Sequence, residues 1–240
     1  MFPVVILAGG LAKRLQPLTG TIPKALVDVN GEPFIAHQLR LLQANRIERV
    51  VICAGYLGEM IQDFVGDGGR FGMEVHFSFD GPMLLGTAGA IKKAVSLLGQ
   101  SFFVLYGDTY LSCDFGAVQA AFEKSDRLAL MTVFRNDGQW DWSNVEFVAG
   151  QILTYDKRNR TPQMRHIDYG LGVFHRAAFE VVPGDQPYDL AMVYQSLLHQ
   201  GELAAYEVDQ RFYEIGSPEG LEETRRYLAE RSSRTVSSTR

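Results

Sequence analysis

The chain has 240 residues, 46% of them hydrophobic, and a formal net charge of −5. That length suffices for one large α/β domain or two small ones, and the acidic balance argues against the broad basic surface that nucleic-acid binding requires. No apolar run is long enough to span a bilayer, no charged leader precedes the first strand, and Cys53 and Cys113 have no partners at metal-ligand spacing, so a cytoplasmic protein with free thiols and no membrane association is expected.

The first predicted strand, Val4–Leu7, drops into Ala8-Gly9-Gly10 and then the cations Lys13 and Arg14, with Lys24 following. Glycines after a buried strand let the backbone approach an anion and present its N–H groups, and Arg14 and Lys24 can neutralise a polyphosphate. A plain turn beside two solvated cations is the alternative reading. The spacing matches neither G-x-G-x-x-G nor G-x-x-x-x-G-K-[ST], which argues against a dinucleotide fingerprint or a P-loop. Helices are predicted at Phe34–Ala44, Leu57–Phe64, Ala88–Leu98 and Gly116–Lys124. They alternate with strands at Arg49–Ala54, Glu74–Phe79, Phe102–Tyr106 and Leu128–Phe134. Such alternation predicts βαβ units in a mainly parallel sheet, with ligands gathered at the carboxyl ends of its strands.

Beyond Phe134 the rhythm changes to short strands around Asn144–Val148, Ile152–Tyr155 and Ile167–Phe174, then helices at Leu190–Gln200 and Pro218–Arg231. The expectation is an antiparallel lobe laid on the first half, the two forming one domain over residues 1–231. Residues 232–240 have almost nothing to bury and read as a disordered tail.

Several of these segments end in chemistry. Gly107-Asp108 places a carboxylate at the end of the Phe102–Tyr106 strand, and a turn-capping Asp is the competing reading. Leu85-Gly86-Thr87-Ala88 opens a helix that Thr87 alone can cap, and Ser217 can cap the helix opening at Pro218. Asp156-Lys157-Arg158-Asn159-Arg160 reads equally as a solvated turn. Trp140 and Trp142 can stack on a ligand, although core or lid packing is the expectation, and the five histidines lack metal spacing, with His166 the one to watch.

Taken in order, Leu7 to Thr19 followed by Pro23-Lys24 resembles the signature L-A-G-G-x-G-T-R-L-x-P-L-T…P-K of the nucleoside-diphosphate-sugar pyrophosphorylases, the sugar-1-phosphate nucleotidyltransferases. Two departures stand out, Ala12-Lys13 where that pattern has Gly-Thr, and Glu214 where its second metal ligand is an Asp. The resemblance implies a three-layer, Rossmann-like α/β fold whose mixed, mainly parallel sheet carries a small antiparallel sugar-binding lobe. It further implies Mg²⁺ on Asp108 and Glu214, with Arg14, Lys24, Asp108 and Lys157 as catalytic residues. Leu7, Ala8, Gly9, Gly10, Lys13, Asp80, Gly86, Thr87 and Gly107 would bind the nucleotide. Asn144, Asp156, Lys157, Asp168, Tyr169 and Gly170 would bind the sugar phosphate. The implied partners are a nucleoside triphosphate and a sugar 1-phosphate, with a homodimer allowed, and GTP with a heptose or hexose phosphate is the favoured pair. UTP, CTP, dTTP or a non-sugar phosphate, and a non-catalytic nucleotide-sugar sensor, are the alternatives. The two departures permit the sensor, while Arg14, Lys24, Asp108 and Lys157 together argue against it.

Overall fold

The computed structural model describes residues 1–11, 13–16, 19–184 and 186–237, with backbone alone for Lys13 and residues 232–237. The first half builds β1 (Val4–Ala8), the short pair β2 (Asp28–Val29) and β3 (Glu32–Pro33), α1 (Phe34–Ala44), β4 (Arg49–Ala54), α2 (Gly58–Val65), β5 (Glu74–Phe79), α3 (Gly86–Ala94), β6 (Ser101–Tyr106), β7 (Thr109–Leu111) and α4 (Phe115–Ser125). The second half adds β8 (Ala129–Arg135), β9 (Val145–Val148), β10 (Gln151–Tyr155), β11 (His166–His175), α5 (Leu190–His199), β12 (Leu203–Val208), β13 (Phe212–Glu214) and α6 (Pro218–Ser237).

Four parallel strands, in the order β6-β1-β4-β5, form one side of a nine-stranded sheet, with β5 at its edge. Val4, Val5 and Ile6 are fully buried, as a strand covered on both faces requires. Val4 and Ile6 pack beneath α1, α2 and α4, whereas Val5 packs beneath α3 and α5. A third cluster joins α6 to β2, β7 and β13 through Val29, Tyr110, Tyr213 and Leu221. The helix starts follow local chemistry. Asp114 accepts hydrogen bonds from the Gly116 and Ala117 N–H groups at 2.8 and 3.1 Å to begin α4, and Asp189 accepts from Ala191 at 2.9 Å to begin α5.

The mixed α/β class with a mainly parallel core is as expected, but the second half is less separate than a lobe. The ten-residue β11 runs antiparallel to β6 over Leu171–His175 and pairs with β9 through His166 and Val145. Its other edge carries β8 at both ends, and β12 continues parallel to β8. Between their last partners, Leu171 and His166, neither β6 nor β9 pairs with residues 167–170 of β11. At the chain end, α6 is helical through Ser237 where composition reads as a tail from 232, and residues 238–240 lie outside the described residues. Among the described residues no helix is long and apolar enough to cross a membrane.

Candidate active site

The chain leaves β1 for β4 and β5 on one side, then returns to β6 on the other. Such a reversal opens a crevice beyond the carboxyl ends of the two diverging strands. It is lined by Leu7, Ala8, Gly9 and Gly10 after β1 and by Tyr106, Gly107 and Asp108 after β6, enclosing about 260 Å³. Gly107 donates its N–H to the Leu7 carbonyl at 3.0 Å, and a Cβ there would stand only 2.5 Å from the same oxygen. A Cβ on Gly10 would meet nothing within 4 Å among the described residues beyond its chain neighbours.

Asp80, Gly86 and Thr87 close the far side of this crevice. The Asp80 carboxylate accepts from the Leu85 N–H at 3.1 Å. Burial pushes it above the usual carboxylate range, against the opposing pull of that N–H and of Lys93. Gly86 takes φ +70°, a conformation that favours glycine, and a Cβ there would stand 2.8 Å from the Tyr188 carbonyl oxygen. Thr87 does not cap its own helix. Its Oγ1 accepts from the Leu190 N–H at 2.7 Å and donates to Asp189 at 3.2 Å, which ties α3 to the start of α5. Ala12 and the Lys13 side chain lie outside the described residues, so the first departure from the family loop has no structural description.

Asp108 stands at the floor of the crevice, its Oδ2 2.8 Å from Lys24 Nζ. Its carbonyl accepts from the Ile215 N–H at 2.9 Å, next to the pairing of Glu214 with Thr109 between β13 and β7. The Glu214 carboxylate accepts from the Gly216 N–H and, at 2.7 Å, from the Ser217 hydroxyl. Ser217 in turn accepts from Gly220 at 3.0 Å, so the expected cap of α6 is present and Glu214 is drawn into it. A Cβ on Gly216 would touch Glu214 Oε2 and stand 2.9 Å from Arg14 Nη2 and 3.5 Å from Asp108 Oδ2. Arg14, Asp108 and Glu214 therefore face one glycine-sized space.

A second cavity, about 270 Å³, occupies the stretch of β11 that β6 and β9 leave uncovered, and shares Tyr106 and Asp108 with the first. Asn144 Oδ1 accepts from the Asp168 N–H at 2.9 Å, taking the place of a strand partner. Asp168, 4% exposed, lies 3.6 Å from Lys157 Nζ and accepts from the Tyr155 hydroxyl at 3.2 Å. Burial works against the charge on Lys157, yet Tyr106 and Asp168 outweigh it and push the ammonium above its ordinary value. Lys157 is thus held as a cation at the cavity wall. Asn144, Lys157, Asp168, Tyr169 and Gly170 all line this cavity, although the Tyr169 ring packs on Phe134 and Phe212.

Asp156 is the predicted residue that the structure does not bring in. Its carboxylate accepts from the N–H groups of Arg158 and Asn159 at 2.7 and 2.9 Å, a turn closed on itself. His166 pairs with Glu207 at 3.0 Å and does not line either cavity. Asp141 and Arg160 line the cavity without having been assigned a role from sequence, and Trp142, for which ligand stacking was the lesser reading, lines it with them. Trp142 is 68% exposed, with the Arg160 guanidinium 4.9 Å from its ring, whereas Trp140 lies under Arg211 at 3.5 Å. The loop between them is held by Asn136, whose Nδ2 donates to the Asp141 carbonyl at 2.6 Å.

A parallel sheet with its crevice at the strand reversal and cations facing a shared carboxylate is an arrangement suited to phosphoanhydride substrates. The chain belongs to the nucleotidyl transferase family, whose model matches residues 3–143. Over 126 residues it is 43% identical to the N-acetylmuramate alpha-1-phosphate uridylyltransferase of Neisseria meningitidis serogroup B, covering 52% of this chain and 53% of that one. It is 28% identical to the UTP–glucose-1-phosphate uridylyltransferase of Synechocystis, over 87% of this chain and 58% of the relative. The solved structure of HddC from Yersinia pseudotuberculosis in complex with GMP-PN superposes with a TM-score of 0.80 at 25% identity, over 95% of this chain and 100% of that one. The chain spans between about half and two thirds of the length of the curated relatives it matches.

Proposed function

We propose that the protein transfers a nucleotidyl group from a nucleoside triphosphate to a sugar 1-phosphate, releasing pyrophosphate. The observation that carries this reading is Asp108, a wall common to two cavities with Lys24 on one side and Lys157 on the other. In the reaction an oxygen of the sugar phosphate bonds to the α-phosphorus, and the bond from that phosphorus to the β-bridging oxygen breaks. The reactants are both anions, so positioning and charge neutralisation supply the acceleration. Lys24 and Arg14 hold the leaving pyrophosphate portion, and Lys157 holds the incoming phosphate.

Asp108 and Glu214 offer hard oxygens around the space over Gly216, a donor set that suits Mg²⁺. Among the described residues no three acidic, His or Cys side chains cluster as a metal cage, so substrate phosphates and water would complete the shell. When bound, the ion would neutralise charge on the triphosphate.

Asp80 supports GTP as the nucleotide, since its acceptor-only carboxylate faces the crevice where guanine can offer both its ring N–H and its exocyclic amine. Uracil has a single N–H to give. HddC, solved with GMP-PN, agrees with this choice, whereas the uridylyltransferase relatives do not. Pyrophosphate release measured over a matrix of nucleoside triphosphates and sugar 1-phosphates tests the proposal. GTP with a heptose or hexose phosphate is expected to give the highest kcat/KM. A preference for UTP, CTP or dTTP would overturn the base assignment, and no turnover with any pair would overturn the reaction.

A further inference from the structure

We infer that Gln38 is a positioning residue that fixes the turn carrying Asp108. Gln38 lies in α1, is 0% exposed and is 68 residues distant from Tyr106. Its Nε2 donates to the Tyr106 carbonyl at 3.0 Å and to the Thr109 carbonyl at 2.7 Å. One amide group thus uses both of its hydrogens on the two carbonyls that bracket Gly107-Asp108.

These carbonyls need an outside donor because β6 ends at Tyr106 and the chain must turn before β7 begins. The Thr109 hydroxyl reaches the Tyr106 carbonyl at 3.1 Å, but the Thr109 carbonyl turns toward the helix. Left without donors, buried carbonyls rotate to find water, and Asp108 would travel with them. The N–H contacts from Gly107 to Leu7 and from Ile215 to Asp108 hold the turn from the sheet side. Gln38 holds it from the helix side.

The other end of the same side chain makes this role specific. Gln38 Oε1 is buried and, among the described residues, has no hydrogen-bond partner. Reversing the amide would set that oxygen against two carbonyls, so the orientation is decided. A methionine or leucine would fill the space without an orphan acceptor, and what the amide adds is its pair of donors.

The test pairs Gln38→Met, which keeps the bulk and lacks the donors, with Gln38→Glu, which can donate only when protonated. The activity arm rests on the proposed reaction. The second arm, amide hydrogen exchange over residues 106–110, does not. Gln38→Met is expected to fold, to lose roughly 10- to 100-fold in kcat with little change in the KM for sugar phosphate, and to need more Mg²⁺ for half-saturation. Exchange over 106–110 should quicken roughly 10-fold while the rest of the sheet stays protected. Gln38→Glu should regain activity and protection, relative to wild type, as pH falls from about 8 to about 6. If Gln38→Met does not fold, that acid recovery decides the matter alone. A folded Gln38→Met with wild-type kcat and exchange would overturn the inference, as would a lower Tm with kcat unchanged. Should the wild type turn over no substrate pair, the proposed reaction falls and exchange alone judges Gln38.

Discussion

Asp80, proposed above to read the base, also bears on stability. Because the folded chain keeps its proton to higher pH than the unfolded chain, its contribution to stability falls as pH rises through the ordinary carboxylate range to the raised value. Asp80→Asn should therefore raise Tm by a few degrees at neutral pH, an advantage that vanishes in acid, while kcat/KM for GTP falls toward that for UTP. Thermal melts across pH and the same nucleotide matrix measure both. Asp108→Asn keeps the shape and removes the hard anionic ligand proposed for Mg²⁺, so kcat should fall by roughly 10²-fold or more with Tm little changed. Trp142→Ala removes a ring that is already solvated, and is expected to leave Tm unchanged while raising the KM for sugar phosphate several-fold. Asp108 was legible in two steps, since the strand pattern put Gly107-Asp108 at a carboxyl end, where a turn-capping Asp was a competing reading, and the resemblance to the family's Gly-Asp motif then singled it out. Asp156 and Lys157 were adjacent letters with equal claims, and only the closed turn of one and the reach of the other to Asp168 separate them. Trp140 and Trp142 were not separable in sequence, because only long-range partners divide them: Arg211 covers Trp140, whereas Trp142 stays exposed beside Arg160.

At the scale of elements, strong periodicity located what tertiary contact did not have to define. α1, β4 and β5 occupy the expected residues, each a long apolar pattern between clear breaks. The strands β7 and β13 have three residues each and exist through pairing with one another, and β12 follows α5 with no alternating pattern to announce it. α3 begins at Gly86 rather than Ala88, since the left-handed turn at Gly86 starts the helix and sets it against Tyr188. Gly86→Ala should cost roughly 1–3 kcal/mol, from strain at positive φ together with the contact to the Tyr188 carbonyl. Chemical denaturation would read the loss. A raised KM for the nucleotide should accompany it, because Thr87 and the α3–α5 joint move with the glycine.

The whole molecule depends on β11, which a reading in halves could not see. Strand order is a long-range property, and nothing in the local pattern of Ile167–Phe174 says that it will lie against β6 instead of closing a lobe of its own. The family match ends at residue 143, before β11 begins. A fragment of residues 1–143 would expose the β6 edge, and it is expected to stay unfolded or aggregate, whereas the full chain melts in one cooperative transition. Circular dichroism of the two distinguishes these outcomes. In the proposed reaction the uncovered stretch of β11 sets the length of acceptor that fits. The cavity there is bounded by where two strands stop, so its span is counted in residues of register as well as in side-chain volumes. Sliding the β9–β10 hairpin outward by two residues would lengthen the opening by roughly 7 Å and keep every side chain on its own face. A slide of one residue would turn them all over. In the proposed reaction, loop-length changes between β8 and β9 are thus a ruler for the acceptor, able to admit a longer glycosyl phosphate while Asn144 and Lys157, which flank the hairpin, travel with it.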